Sequence, residues 1–281
     1  MSSNAIAIET TTTTPRTRRV TQAGVLRSEW TKLWSLRSTR YSLLIAAALL
    51  ILLAVAAAAI TASHWHSMSM ASKESFDALQ ASLFGVDIAE LVVGVLGVLT
   101  LGSEYTTGAI RSTLSAVPTR LPVLWGKVIS LAAVVFALMI AASATAIAAS
   151  HAILAGHLVN GHDVASTLTG ITAVRGVLGA GLYLALVAVF GIALAAILRS
   201  TAAGIAALAG ILFVLPVLAN LLPSGFKDTV SPYLPGNAGS AILQAHQTAG
   251  TLAPWTGLGL FAAYTTVLLG TAAFLLRRRD A

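Results

Sequence analysis

Asp87 and Glu90 stand in an otherwise apolar stretch, 83–102. A carboxylate at membrane depth is costly, so it usually lines a substrate path or gate, or pairs inside the protein. At 100° per residue, Asp87, Glu90, Gly94, Gly97, Leu101 and Glu104 fall within roughly a third of a helix circumference. One stripe thus holds both acids of the span and the glycines between Leu91 and Leu101. Glycine offers lipid nothing to pack against, so the stripe should face other helices or a wet cavity. Glu90 is the deeper acid, roughly 20 Å from the opposite end of its span. It can line a path or gate, pair with Arg175 at the edge of a later span, or be hydrogen-bonded in neutral form. Asp87, nearer the surface, is more easily hydrated.

Other chemistry is largely excluded. Gly126-Lys127 lacks the rest of a phosphate-binding loop, and no H-E-x-x-H, G-x-S-x-G or Cys/His zinc pattern occurs. With no cysteine there is no disulfide, iron–sulfur or thiolate chemistry. His64 and His66 form a His-x-His pair, but neither they nor His151, His157, His162 and His246 complete a ligand set within one segment. No catalytic, cofactor or metal site is therefore expected. Directed work would need an ion gradient or a partner protein.

The elements that must position these residues are membrane spans. Of 281 residues, 57% are hydrophobic and 10% charged, and several stretches of 20 or more residues lack any charge, which argues against a soluble fold. Spans are expected at about 41–62, 83–102, 128–150, 174–198, 203–222 and 255–276, the fifth bent or broken near Pro216. The first is about 33 Å long as a helix and follows a 40-residue segment, so it reads as an anchor and not a cleaved signal. Trp125 and Lys127 read as belt and snorkelling anchors of the third.

Around the spans, 1–22 reads as a disordered tail, leaving 23–281 as one transmembrane domain. Residues 23–40 form an amphipathic pattern, with Val25, Leu26, Trp30, Leu33, Trp34 and Leu36 on one arc, as in a helix lying among headgroups. Glu29 falls inside that arc and should pair with a cation or a protein partner. The segments 63–82 and 151–173 read as polar loops. Residues 223–254 are too broken to span twice and too apolar for a free loop, which suggests a re-entrant or surface-lying hairpin. Of the 17 Lys and Arg, all but Lys73, Arg175 and Lys227 fall on the side of the N-terminus, so both termini are expected in the cytoplasm. That orientation also explains the net charge of +7 without nucleic acid.

Two motifs then stand out: Leu26-Arg-Ser-Glu-Trp-Thr-Lys-Leu-Trp-Ser-Leu-Arg-Ser-Thr before the first span, and Glu104-Tyr-Thr-Thr-Gly-Ala-Ile-Arg-Ser-Thr-Leu-Ser-Ala-Val-Pro-Thr-Arg after the second. With the spans from Val25 onward, the chain resembles the six-span permease subunits of type-2 ABC transporters, of a flavour common in actinobacteria. The resemblance implies an all-α fold, an N-terminal helix at the inner surface, a coupling helix between spans two and three, and a re-entrant hairpin before the sixth. It implies a separate ATPase subunit that binds ATP and Mg, a second permease chain (a homodimer is expected), membrane lipid around both, and a place in the cell membrane. By position, Glu104, Tyr105, Gly108, Arg111 and Arg120 would form the ATPase-coupling surface, with Glu29 adjoining it. Asp87, Glu90 and Arg175 would belong to the substrate path or gate. The expected function is ATP-driven alternating access, as an exporter. A stand-alone secondary transporter is the rival, although its acids would usually stand in corresponding positions of two halves and here they cluster in one span. A non-transporting immunity or sensor protein is a second rival, since fold does not fix function.

Overall fold

A computed structural model describes residues 22–106, 121–221, 223–245, 247 and 250–278. Gly108, Arg111 and Arg120, the expected coupling helix at 109–114, the tail before residue 22, His246 and Arg279 lie outside the described residues.

Among the described residues, six helices are long and apolar enough to cross a membrane, and the protein is an all-α polytopic membrane protein. Helix α1 (Gln22–Ser35) precedes the first span. The chain leaves helical geometry at Leu36 and re-enters it in α2 (Arg37–His64), so Arg37 and Arg40 belong to the first turns of the span. Two short helices follow, α3 (Met70–Glu74) and α4 (Ala78–Ser82), where a polar loop was expected; Ser69 and Asp77 cap them by accepting hydrogen bonds from backbone N–H groups. The second span is α5 (Val86–Thr106) and the third is α6 (Leu121–Leu154), with Pro122 in its first turn, where its missing N–H costs nothing. Between α6 and α7 (Gly170–Leu198) lies a two-stranded hairpin, β1 (Leu158–Val159) and β2 (His162–Asp163). Asn160 and Gly161 turn it with φ of 49° and 81°, the Asn-Gly signature of a tight hairpin turn.

The fifth span comprises α8 (Thr201–Ala209), a π-helical turn at Gly210–Val214, and α9 (Leu215–Ala219). The break lies one turn before Pro216, which cannot donate to the Leu212 carbonyl and crowds it. That carbonyl meets the returning chain: a Cβ on Gly236 would collide with it. Gly236 belongs to the expected hairpin, which contains α10 (Ser224–Val230) and α11 (Pro235–Ser240). Gly236, Ala238 and Gly239 are buried, and α11 packs against the π turn and the sixth span, α12 (Pro254–Arg278). The hairpin therefore dips into the bundle, where irregular backbone is tolerated because protein covers it.

Helix α7 is central. It packs against α5, α6, α8 and α12, and 72% of its most apolar window is buried, against 22% for α12. Tyr183, Phe190 and Phe261 form an aromatic run between α7 and α12, with ring centroids 5.4 Å and 5.6 Å apart. The acid-and-glycine stripe of α5 faces this helix: Glu90, Gly94, Gly97 and Leu101 are all buried.

Candidate functional site

Two polar sites sit at opposite ends of α5. At the end nearest α1, three elements meet on a buried lysine. Helix α1 lies along α6 and turns Glu29 and Leu33, one helical turn apart, into the protein. Trp30 and Trp34 stay about half exposed on its outer side, their rings 6.0 Å apart. The apolar arc of α1 is thus shared between protein and surroundings, and Glu29 falls on the protein side. Lys127, only 2% exposed, donates to Glu29 Oε2 at 3.0 Å and to Glu104 Oε1 at 2.7 Å. Lys32 donates to Glu29 Oε1 at 3.0 Å and stands 3.7 Å from Glu104 Oε1. Burial works against the charge on Lys32, but the Glu29 and Glu104 carboxylates outweigh it and hold its pKa above the ordinary lysine value.

Two cations and two carboxylates balance, so the cluster is electrically neutral while clasping α1, the end of α5 and the start of α6. Beside it runs a groove of about 410 Å³ walled by Leu33, Leu36, Leu96 and Leu99. Expected as a snorkelling anchor, Lys127 is instead the buried centre of this clasp, because its helical face meets α1 and α5 and not the headgroups. Trp125, 41% exposed, remains placed as a belt residue would be. Tyr105, next to Glu104, has the Arg199 guanidinium 5.9 Å from its ring centroid. The described members of the expected coupling surface, Glu29, Glu104 and Tyr105, therefore gather at one end, each engaged inside the chain.

At the far end, Asp87 opens onto a polar vestibule of about 680 Å³ between α4, the start of α5 and the hairpin. Glu90 lies one turn deeper, 4% exposed, with no hydrogen-bond partner for Oε1. Tyr183 approaches it from α7, fully buried, its hydroxyl beside the Glu90 carboxyl. Gly239 of the hairpin closes over the tyrosine, since a Cβ there would collide with the ring.

Arg175 is not joined to Glu90. Its Nη2 donates to the carbonyls of Gln244 and Ala245 at 2.6 Å and 2.9 Å, and Asp77 Oδ2 accepts from the Ala245 N–H at 2.7 Å. Arg175 stands about 12 Å along α7 from Tyr183, too far up the helix to serve Glu90, and satisfies carbonyls that the hairpin leaves without helical partners. Arg175→Gln should therefore raise hydrogen exchange around Gln244 and Ala245, with Glu90→Gln leaving that segment unchanged. Equal protection in wild type and Arg175→Gln would rule the tether out.

Among the described residues, no group of three or more His, Asp and Glu is placed to hold a metal ion. His157 packs edge-on against Trp65, 5.5 Å between centroids. Tyr183 escaped the sequence reading. The one available signal was a hydroxyl inside an apolar span, on the helix most densely buried.

These features define a class: a six-span, all-α membrane protein with an internal hairpin, a buried ionic clasp at one end and an acidic vestibule at the other. No protein-family model matches the chain, and no curated protein matches its sequence.

Proposed function

We propose that the protein is the membrane-spanning permease subunit of a type-2 ABC exporter, driven by a separate ATPase that binds ATP and Mg. The observation that carries the reading is the clasp of Glu29, Lys127, Lys32 and Glu104. It ties the N-terminal helix to both helices that flank the segment 107–120. An ATPase pressing on that segment and on α1 moves the three elements together, because parting a buried ion pair strands its charges. The motion then runs along α5, a single helix of 21 residues, for about 26 Å from Glu104 to Asp87. Rocking of such a rigid element is what alternating access requires. Working as a pair of permease chains in the cell membrane, the protein has the clasp end and both termini in the cytoplasm.

Copurification tests the assignment. Tagged protein taken from its native membranes in mild detergent should carry a nucleotide-binding subunit and hydrolyse ATP, and Arg111→Glu should weaken that association without affecting insertion. A wild-type preparation with no such subunit would sink the reading. Orientation is checked separately: reporters after Thr119 and Arg279 should be cytoplasmic, and reporters near Ser72, His162 and Gly236 external.

A further inference from the structure

We infer that the vestibule at the far end of α5 is a binding site for a polar organic cation, a substrate class that rests on the transport reading for its passage but not for its binding. Size comes first. About 680 Å³ lies within the range of small-molecule sites and is far larger than a bare ion needs. Asp77, Asp87, Gln80, Asn237, Ser240 and Gln244 line it, and among the described residues no Lys, Arg or His does. The nearest basic groups are turned elsewhere: Lys73 lies 5.6 Å from the Trp65 ring centroid, and Arg175 stands behind the wall on the Gln244 and Ala245 carbonyls.

The wall is also rich in acceptors. Asn237 uses its amide N–H groups on Ser231, on the carbonyl at 2.8 Å and the hydroxyl at 2.9 Å, which leaves its amide oxygen for a ligand. Asp87 is open to the cavity. Beneath it, on the same helical face and behind the cavity wall, lies the buried Glu90, with the Tyr183 hydroxyl as its neighbour. A ligand with positive charge and several N–H donors supplies what this wall lacks, through Asp87 and the Asn237 amide oxygen. Ammonium groups do this; anions and neutral apolar molecules do not.

The test uses the purified full chain in lipid nanodiscs with radiolabelled spermidine, a polar cation with several N–H donors, and no ATPase. Wild type should bind it saturably, and excess 1,8-octanediol, of similar length but uncharged, should not displace it. Asp87→Asn, at an open position, should weaken binding about ten-fold or more, and Asn237→Ala should weaken it as well. Absence of saturable binding, displacement by octanediol, or unchanged affinity in Asp87→Asn would overturn the inference. Failure here with an ATPase bound leaves the transport reading standing. Spermidine binding that Asp87→Asn abolishes, with no ATPase found, leaves the site standing and removes the transport reading.

Discussion

Lys127→Met is expected to destabilise the protein by about 3–5 kcal/mol, because it leaves the buried Glu29 and the largely buried Glu104 with only the half-exposed Lys32 between them. In a melting experiment on detergent-solubilised protein this should lower Tm by more than about 6 °C. Lys32→Met provides the contrast. Lys32 touches the same carboxylates, but its side chain is 47% exposed, so solvent screens the pair and its loss should cost no more than about 1 kcal/mol. If the two variants melt alike, the clasp is not centred on Lys127. Neutralising its three buried members, with Glu29→Gln and Glu104→Gln added to Lys127→Met, should recover most of the lost stability, since the one charge left is the half-exposed Lys32. That recovered protein also asks whether the clasp transmits motion: on the transport reading it folds yet hydrolyses ATP without transport.

The run of apolar residues made the spans legible, and helices merely extend past it, as α2 does through Arg37 and Arg40. The break in the fifth span was readable because Pro216 forbids one hydrogen bond, though the strain appears one turn earlier, at Gly210–Val214. The stripe of α5 was readable because carboxylates and glycines both avoid lipid. Partners were harder. A lysine near a helix start looks the same in sequence whether it snorkels or is buried; Lys127 is decided by α1 and Glu104, elements far away along the chain. Likewise Arg175 and Glu90 are opposite charges in neighbouring spans, but only their heights along α7 and α5 show that they do not meet. Asn160-Gly161 was a local signal available from the start, and it sets the small hairpin inside what reads as a loop.

Gly97→Leu and Gly191→Leu should be the most damaging substitutions in the membrane, with little monodisperse protein recoverable from either. At this crossing α5 and α7 touch backbone to backbone: a Cβ on Gly97 would collide with the Ala188 carbonyl oxygen, and one on Gly191 with the Gly94 carbonyl. Backbone cannot swing aside as a side-chain tip can, so even alanine forces the helices apart, at about 1–3 kcal/mol, and leucine more. Close approach of this kind is what small residues supply between membrane helices. Gly259→Ala and Gly270→Ala, in α12, are the controls: an added methyl there meets open space, so each should be neutral or stabilise by up to about 1 kcal/mol through helix propensity. Melting temperature and the yield of monodisperse protein read all of these variants together. Should Gly97→Ala behave like Gly270→Ala, the crossing is looser than the contact implies. The crossing also fixes α5, the helix whose two ends carry Glu104 and Asp87, against the central helix. A Gly97→Ala protein that survives purification should therefore bind spermidine more weakly than wild type, although residue 97 is about 15 Å from Asp87 along α5.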